Sequence, residues 1–146
     1  MKAVDQFAVK TWCEAHGFAL DERGRPIQCG SDYFRIPNDA GARVALVKGD
    51  LRAFQNEDQI CVFIDDWSVW PSGEWMHIFE RFRLSYGITE PLIEKSGHII
   101  QKEDFDAVTS LAIYSVLMLW DCYVLGSSGR TFLFYSHDEV GNKNGA

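Results

Sequence analysis

The sequence predicts an α+β fold in a single domain, with an antiparallel sheet of about four to six strands packed against three or four α-helices. The continuous apolar run Ile60–Ile64 is typical of a strand that is covered on both faces. From Trp75 to Tyr86 the apolar side chains recur at the spacing of one helix face. Two strand-like segments, 121–125 and 131–135, flank a turn rich in glycine and serine, as in an antiparallel hairpin.

The first part of the chain contains one predicted helix and three short strands. Apolar residues over Val4–His16 form a helical stripe, and a glycine directly follows it. Residues 18–29 are predicted to form a hairpin around the turn 21–24. A further strand covers Asp32–Ile36, and Pro37 ends it.

Two assignments are open for the segment that follows. Residues 38–39 offer caps for a helix over 40–54, whose apolar side chains share one face. Gly49 weakens this helix, so a strand over Arg43–Val47 is the competing assignment. A strand over Gln59–Asp66 then contains the continuous apolar run.

The second half of the chain alternates helices with a loop. One helix is predicted to begin after Pro71-Ser72 and to end at Gly87. Residues 89–98 read as a polar loop, and a largely apolar helix runs from 103 or 104 to about 118 before the final hairpin.

No repeat, low-complexity tract or linker divides the chain, so residues 1–140 are predicted to be a single globular domain. The remaining residues, 141–146, are expected to be a flexible tail.

The balance of charges argues against one class of function. The chain has 21 acidic and 14 basic residues, which gives a formal net charge of −7. Nucleic-acid binding depends on phosphate contacts with clustered Lys and Arg, so no nucleic-acid partner is expected. An acidic domain suits a basic protein partner, because complementary fields accelerate association and favour the right partner. The alternative interpretation is that the charge only keeps the domain soluble.

Cysteine usage and hydropathy predict a cytoplasmic protein. The four cysteines include no Cys-x-x-Cys pair, so neither a zinc knuckle nor a thioredoxin-type site is indicated. The first residues lack the apolar region of a signal peptide, and the longest apolar run, 111–120, is about half of what a bilayer requires. We therefore expect reduced thiols, no membrane association and no cofactor.

The segment Ser136–Glu139 forms a polar cluster directly after a predicted strand. His137 beside Asp138 suggests a general base, but adjacent residues of an extended segment point to opposite sides. A metal site built from this segment and His98 lacks the usual histidine spacings, so no metal is expected. The cluster is interpreted either as a binding surface or as a structural turn, in which Ser136 and Asp138 bond backbone amides.

A second polar cluster combines Asp65 and Asp66 with a following tryptophan and, farther on, Glu74. Carboxylates beside exposed tryptophans resemble an interface, where aromatic side chains supply contact area and charges select the partner. In the structural interpretation, the two aspartates only end a strand and a serine caps the helix that contains Glu74. Later in the chain, Trp120 is predicted to be buried and Asp121 to accept hydrogen bonds in a buried or half-buried position.

Five short motifs follow one another over residues 70–139. They are Trp70-Pro71-Ser72-x-Glu74, Phe79-x-x-x-Arg83, Gly97-His98, Trp120-Asp121 and Ser136-His137-Asp138-Glu139. Together with its size and charge, the chain resembles immunity proteins of bacterial polymorphic and contact-dependent toxin systems. The resemblance implies a non-enzymatic protein that binds a cognate toxin and blocks its active or substrate-binding surface. Toward a nuclease toxin with a basic cleft, an acidic inhibitor would mimic phosphate.

The leading prediction is an acidic binding protein of this kind, and three hypotheses remain to be compared. Its predicted partner-binding residues are acidic or lie beside acidic residues: Asp65, Asp66, Glu74, His137, Asp138 and Glu139. The competing hypothesis is a small hydrolase or metal-dependent enzyme with His98, His137 and Asp138 in its site. A third is a scaffolding or regulatory module that self-associates through an apolar surface. The sequence leaves the oligomeric state open.

Overall fold

An antiparallel sheet of seven strands organises the computed structural model, which describes residues 1–67 and 74–144, without the side chains of Glu74 and Trp75. The strands are β1 (Lys2–Val4), β2 (Asp32–Arg35), β3 (Gln59–Asp66), β4 (Gly97–Gln101), β5 (Asp121–Gly126), β6 (Phe132–Tyr135) and β7 (Val140–Lys143). Their order across the sheet is β1-β4-β3-β5-β6-β7-β2. The helices are α1 (Gln6–Ala15), α2 (Ala40–Asp50), α3 (Glu74–Ser85) and α4 (Phe105–Leu117), with short 3-10 helices at Leu51–Phe54 and Lys102–Asp104. These elements form a single α+β domain, as predicted. None of the helices in the described part of the chain has the length and apolar character needed to span a bilayer.

Both faces of the sheet are covered, which explains the continuous apolar run in β3. Alternate residues from Ile60 to Ile64 belong to the larger core cluster, together with residues of α2 and α4. Cys61 and Phe63 belong to a second cluster, which includes residues of α1. Successive side chains of a strand alternate between faces, so a strand between two packed layers needs apolar residues at every position. The predicted strand Gln59–Asp66 is confirmed with the same bounds.

The segment after residue 38, for which the sequence left two assignments open, forms a helix. The competing prediction of a strand over Arg43–Val47 is wrong. Helix α2 spans Ala40–Asp50, and the first 3-10 helix continues it to Phe54. Asp39 caps α2, because its Oδ1 accepts from Ala42 N at 2.8 Å. The helix α4 and the hairpin of β5 with β6 are also confirmed.

The sheet has more strands than predicted, because short strands were read as loops. Strand β4 begins at Gly97, within the segment predicted to be a polar loop. This glycine has a packing role, since a Cβ at its position would lie 2.2 Å from Val9 Cγ2 of α1. Conversely, the predicted hairpin over 18–29 contains a single isolated bridge, Leu20 with Pro26, and no strands.

Strand β7 occupies residues that the sequence assigned to a flexible tail. The side chain of Asn142 accepts from Gly30 N at 2.9 Å and donates to Gly30 O at 2.8 Å. A Cβ on Gly141 would lie 2.2 Å from Cζ of Phe34 in the neighbouring strand β2. Glycine and asparagine favour loops in general, but here they permit close packing of one strand on the next. Residues 141–143 therefore belong to a strand and not to the expected tail. Residues 145–146 lie outside the described part of the chain.

Candidate functional site

An irregularity in the pairing of β3 with β5 brings two carboxylates together. The strands pair regularly from Ile60 to Ile64, and the register then shifts so that Asp66 lies opposite Asp121. Bulges re-aim side chains and are frequent next to functional sites. Like charges directly opposite each other destabilise a sheet, so sheet stability alone does not explain this pairing.

The turn between β6 and β7 holds His137 in a defined position. Ser136 N donates to Val140 O at 2.8 Å, and Glu139 N donates to Ser136 O at 3.1 Å. Ser136 Oγ accepts from Asp138 N at 3.2 Å, so Ser136 stabilises the turn, as the structural interpretation proposed. Glu139 adopts a left-handed φ of 61°, which lets the chain reverse over these few residues.

Asp121 orients the imidazole of His137. Its Oδ1 accepts from His137 N and also contacts His137 Nδ1, both at 2.7 Å. The other ring nitrogen, Nε2, lies 3.6 Å from Oδ1 of Asp138. The hydrogen bond to Asp121 raises the pKa of His137, and this effect outweighs burial, which acts in the opposite direction.

The prediction that Asp121 is a half-buried acceptor is confirmed, but its place beside His137 was missed. Its side chain is 14% exposed. The two residues are 16 positions apart, and the pairing of β5 with β6 brings them together.

Asp66, Asp121 and His137 form a compact triad of potential metal ligands. One carboxylate oxygen from each aspartate and one ring nitrogen of His137 lie within 4.8 Å of one another, and all three residues are half-buried. Carboxylate oxygens and imidazole nitrogens are both ligands of transition metals in proteins.

Asp65 adds a further carboxylate beside this triad. Arg25 donates from Nη1 to Asp65 at 3.4 Å and from Nε to Asp21 at 3.0 Å. Burial raises the pKa of Asp65, while Arg25 acts to lower it. The net effect is a raised pKa, so the surroundings of Asp65 disfavour its ionised form relative to water.

Two shallow depressions meet at this end of the sheet. The first, of about 410 Å³, is lined by polar and charged residues: Gln6, Arg23, Arg25, Asp65, Asp66, Asp121 and His137. The second, of about 320 Å³, shares Gln6 and Asp65 with the first and also contains Phe7, Trp67 and Ile93. We call Asp65, Asp66, Asp121 and Asp138 the acidic face, and Phe7, Trp67 and Ile93 the apolar rim.

The apolar rim contains side chains that a folded protein normally buries. Phe7 is 76% exposed and Ile93 is 77% exposed. The sequence placed Phe7 on the apolar stripe of the first helix, but the buried residues of α1 are Val9 and Cys13. The stripe alone did not reveal which side of the helix faces the sheet.

The remaining predicted partner-binding residues differ in their surroundings. Asp138 has a side chain that is 78% exposed. Glu139 instead forms an ion pair with Arg43, whose side chain is 8% exposed. Arg43 also donates to the carbonyls of Pro37 at 2.7 Å and Val116 at 2.9 Å, so Glu139 helps to attach the turn to α2. The side chain of Glu74 lies outside the described part of the structure.

His98 is buried in a different environment from His137. Its side chain is fully buried, and Arg83 Nε donates to His98 Nε2 at 3.1 Å. Since Nε2 must accept this bond, the ring is neutral and Nδ1 donates to Val62 O at 3.3 Å. Burial, followed by the charge of Arg83, lowers the pKa of His98 to about 3. The hypothesis of an enzyme with His98 and His137 in one site requires these two side chains to lie together. The structure does not bring His98 to the triad.

No protein-family model matches the chain, and no curated protein or solved structure matches it.

Proposed function

We propose that the protein is an acidic binding protein that neutralises a toxin with a basic surface, as immunity proteins do, and that it acts in the cytoplasm. The observation that carries this proposal is the position of the acidic face directly beside an exposed apolar rim. Aromatic side chains are enriched among the few residues that dominate the energy of a protein interface, and surrounding charges select the partner.

The charges of the acidic face favour a basic partner. The triad and Asp65 place three carboxylates near one end of the sheet, and the exposed Asp138 extends them to the β6–β7 turn. The whole chain has a net charge of −7, so its long-range field acts in the same direction. A surface of this kind accelerates encounter with a basic protein and disfavours acidic ones.

Phe7 of the rim and three aspartates of the face lie in a helix or in strands, which lowers the entropic cost of ordering them on binding. Phe7 belongs to α1, whose start is capped by Asp5 Oδ1 accepting from Ala8 N at 2.8 Å. Asp66 and Asp121 belong to paired strands. A basic nuclease whose cleft accommodates phosphates is the class of toxin that such a surface would block.

The proposal is tested with the protein encoded by the reading frame directly upstream of this gene, for which a toxin-like sequence is the expected finding. We expect a 1:1 complex whose association rate falls roughly tenfold or more when ionic strength rises from about 0.02 M to about 0.5 M. Asp138→Lys should slow association several-fold with little change in the thermal midpoint, because the Asp138 side chain is exposed.

A matched control reverses a charge at the opposite end of the sheet. Glu103 is exposed and lies just after the end of β4. The last residue of β4, Gln101, pairs with Gln59 at the start of β3, whereas the acidic face lies at the end of β3. Glu103→Lys makes the same change in net charge and should affect association much less. Equal effects of the two variants, or no complex with the neighbouring protein, would contradict the proposal.

A further inference from the structure

The triad of Asp66, Asp121 and His137 differs from an ordinary surface cluster of acidic residues. It contains an imidazole, and a strand register shift holds its two carboxylates opposite each other. Acidic clusters of oxygen ligands alone suit Mg²⁺ or Ca²⁺, whereas a mixed set of oxygen and nitrogen ligands suits transition metals such as Zn²⁺. The ligand set therefore selects one class of cation.

We propose that Asp66, Asp121 and His137 bind a divalent transition-metal ion, with Zn²⁺ as the best-matched representative. The site shares Asp66 and Asp121 with the acidic face, but binding of the metal requires no partner protein.

The geometry is close to what such an ion requires. Tetrahedral Zn²⁺ with ligands at about 2.1 Å places its ligand atoms about 3.4 Å apart. The three groups already lie within 4.8 Å, so side-chain rotations of about 1 Å bring them to that spacing without movement of the strands. The adjoining depression of about 410 Å³ leaves room for water in the remaining coordination position.

The ring nitrogen beside Asp121 is the one that we assign to the metal. Nδ1 of His137 lies 2.7 Å from Oδ1 of Asp121, while Nε2 faces Oδ1 of Asp138 at 3.6 Å. With the metal on Nδ1, the Nε2 proton lies on the side of Asp138, and a small rotation of the exposed Asp138 side chain would bring its carboxylate within hydrogen-bond distance. A carboxylate on the second nitrogen of a metal-bound imidazole orients the ring and increases its basicity, so Asp138 is a positioning residue.

The experiment titrates Zn²⁺ into metal-free protein that lacks a histidine tag, by calorimetry at pH 7. We expect one equivalent to bind, and His137→Ala and Asp66→Asn each to weaken binding on the order of 100-fold. Asp138→Asn should weaken it roughly tenfold. His77→Ala is the matched control, because it removes an exposed imidazole of α3 outside the triad and should leave the affinity unchanged.

A second measurement keeps the test valid if a variant folds poorly. Added Zn²⁺ should shift the imidazole resonances of His137 in the wild-type protein, while those of His77 and His98 stay in place. The inference is overturned if wild-type protein binds no Zn²⁺ below about 1 mM, if His137→Ala binds as tightly as wild type, or if the metal shifts another histidine instead. Because no partner is present in these measurements, their result is independent of the proposed inhibition of a toxin.

Discussion

Lowering the pH is expected to destabilise the protein through His98. Burial and the adjacent charge of Arg83 lower the pKa of this imidazole from 6.5 to about 3 in the folded protein. In the unfolded chain the pKa returns to about 6.5, so at lower pH the unfolded chain binds a proton that the folded protein excludes. The stabilising contribution of neutral His98 is therefore complete above pH 6.5 and is lost progressively as the pH falls toward 3.

The size of the effect follows from this difference in proton binding. Between about pH 6.5 and pH 4.5 it approaches one proton, and each pH unit then removes about 1.4 kcal/mol from the free energy of unfolding. Over this range His98 should cost about 3 kcal/mol, a large part of the ~5–15 kcal/mol that stabilises a typical domain.

The assay is urea unfolding at pH 7 and at pH 4.5 for the wild type and for His98→Gln. The glutamine amide can still accept from Arg83 and donate to Val62 O, but it does not titrate. Other groups titrate equally in both proteins, so the wild type should lose about 3 kcal/mol more than the variant on acidification. His77→Gln makes the same change at an exposed position and should retain the wild-type pH dependence. If His98→Gln and the wild type lose the same free energy, the reasoning about the buried imidazole is wrong.

Three further substitutions test packing and hydrogen bonding elsewhere in the fold. Gly97→Ala places a Cβ 2.2 Å from Val9 Cγ2 and should lower the free energy of unfolding by about 1–3 kcal/mol. In Gly49→Ala the new Cβ in α2 meets no atom within 4 Å, so this change should raise the free energy of unfolding by about 0.5–1 kcal/mol. Thermal unfolding that ranks the two alanine variants in the reverse order would refute this. Glu57→Gln should lower the free energy of unfolding at pH 7 by about 1–3 kcal/mol. The carboxylate accepts from Ser128 N at 2.8 Å and from Ser128 Oγ at 2.6 Å, and an amide cannot satisfy both donors as well. Unchanged stability in urea would contradict this, because it would show that the loop between β5 and β6 relaxes around the amide.

Local sequence patterns predict the elements whose own residues determine them. Strand β3 has apolar residues at every position from Ile60 to Ile64, and this run between polar ends predicts both its bounds and its burial on two faces. Glycine was misleading where it serves packing between elements. Gly97 and Gly141 resemble loop residues in the sequence. In the structure a larger side chain at either position would collide with Val9 or Phe34, which are far away in the chain.

The candidate site could be predicted only in part, because it depends on topology. β5 lies between β3 and β6, and antiparallel pairing places the end of β3, the start of β5 and the end of β6 at the same edge of the sheet. Asp66 and His137 were recognisable because each follows a strand-like run. Asp121 is the first residue of its strand and directly follows a buried tryptophan, and no local pattern shows that it lies opposite Asp66.

The metal site and the partner-binding surface share residues and are therefore physically coupled. A divalent cation on Asp66, Asp121 and His137 adds two positive charges to the acidic face. A basic partner is attracted by the negative potential of that face, so the metal-bound protein attracts it less, while contacts of Phe7 and Ile93 are unchanged. Coupling between two binding events is reciprocal, so a bound basic partner weakens metal binding by the same factor. If both proposals hold, the metal-free protein would bind a basic toxin more tightly than the metal-bound protein, and the concentration of free metal would set the fraction that binds well.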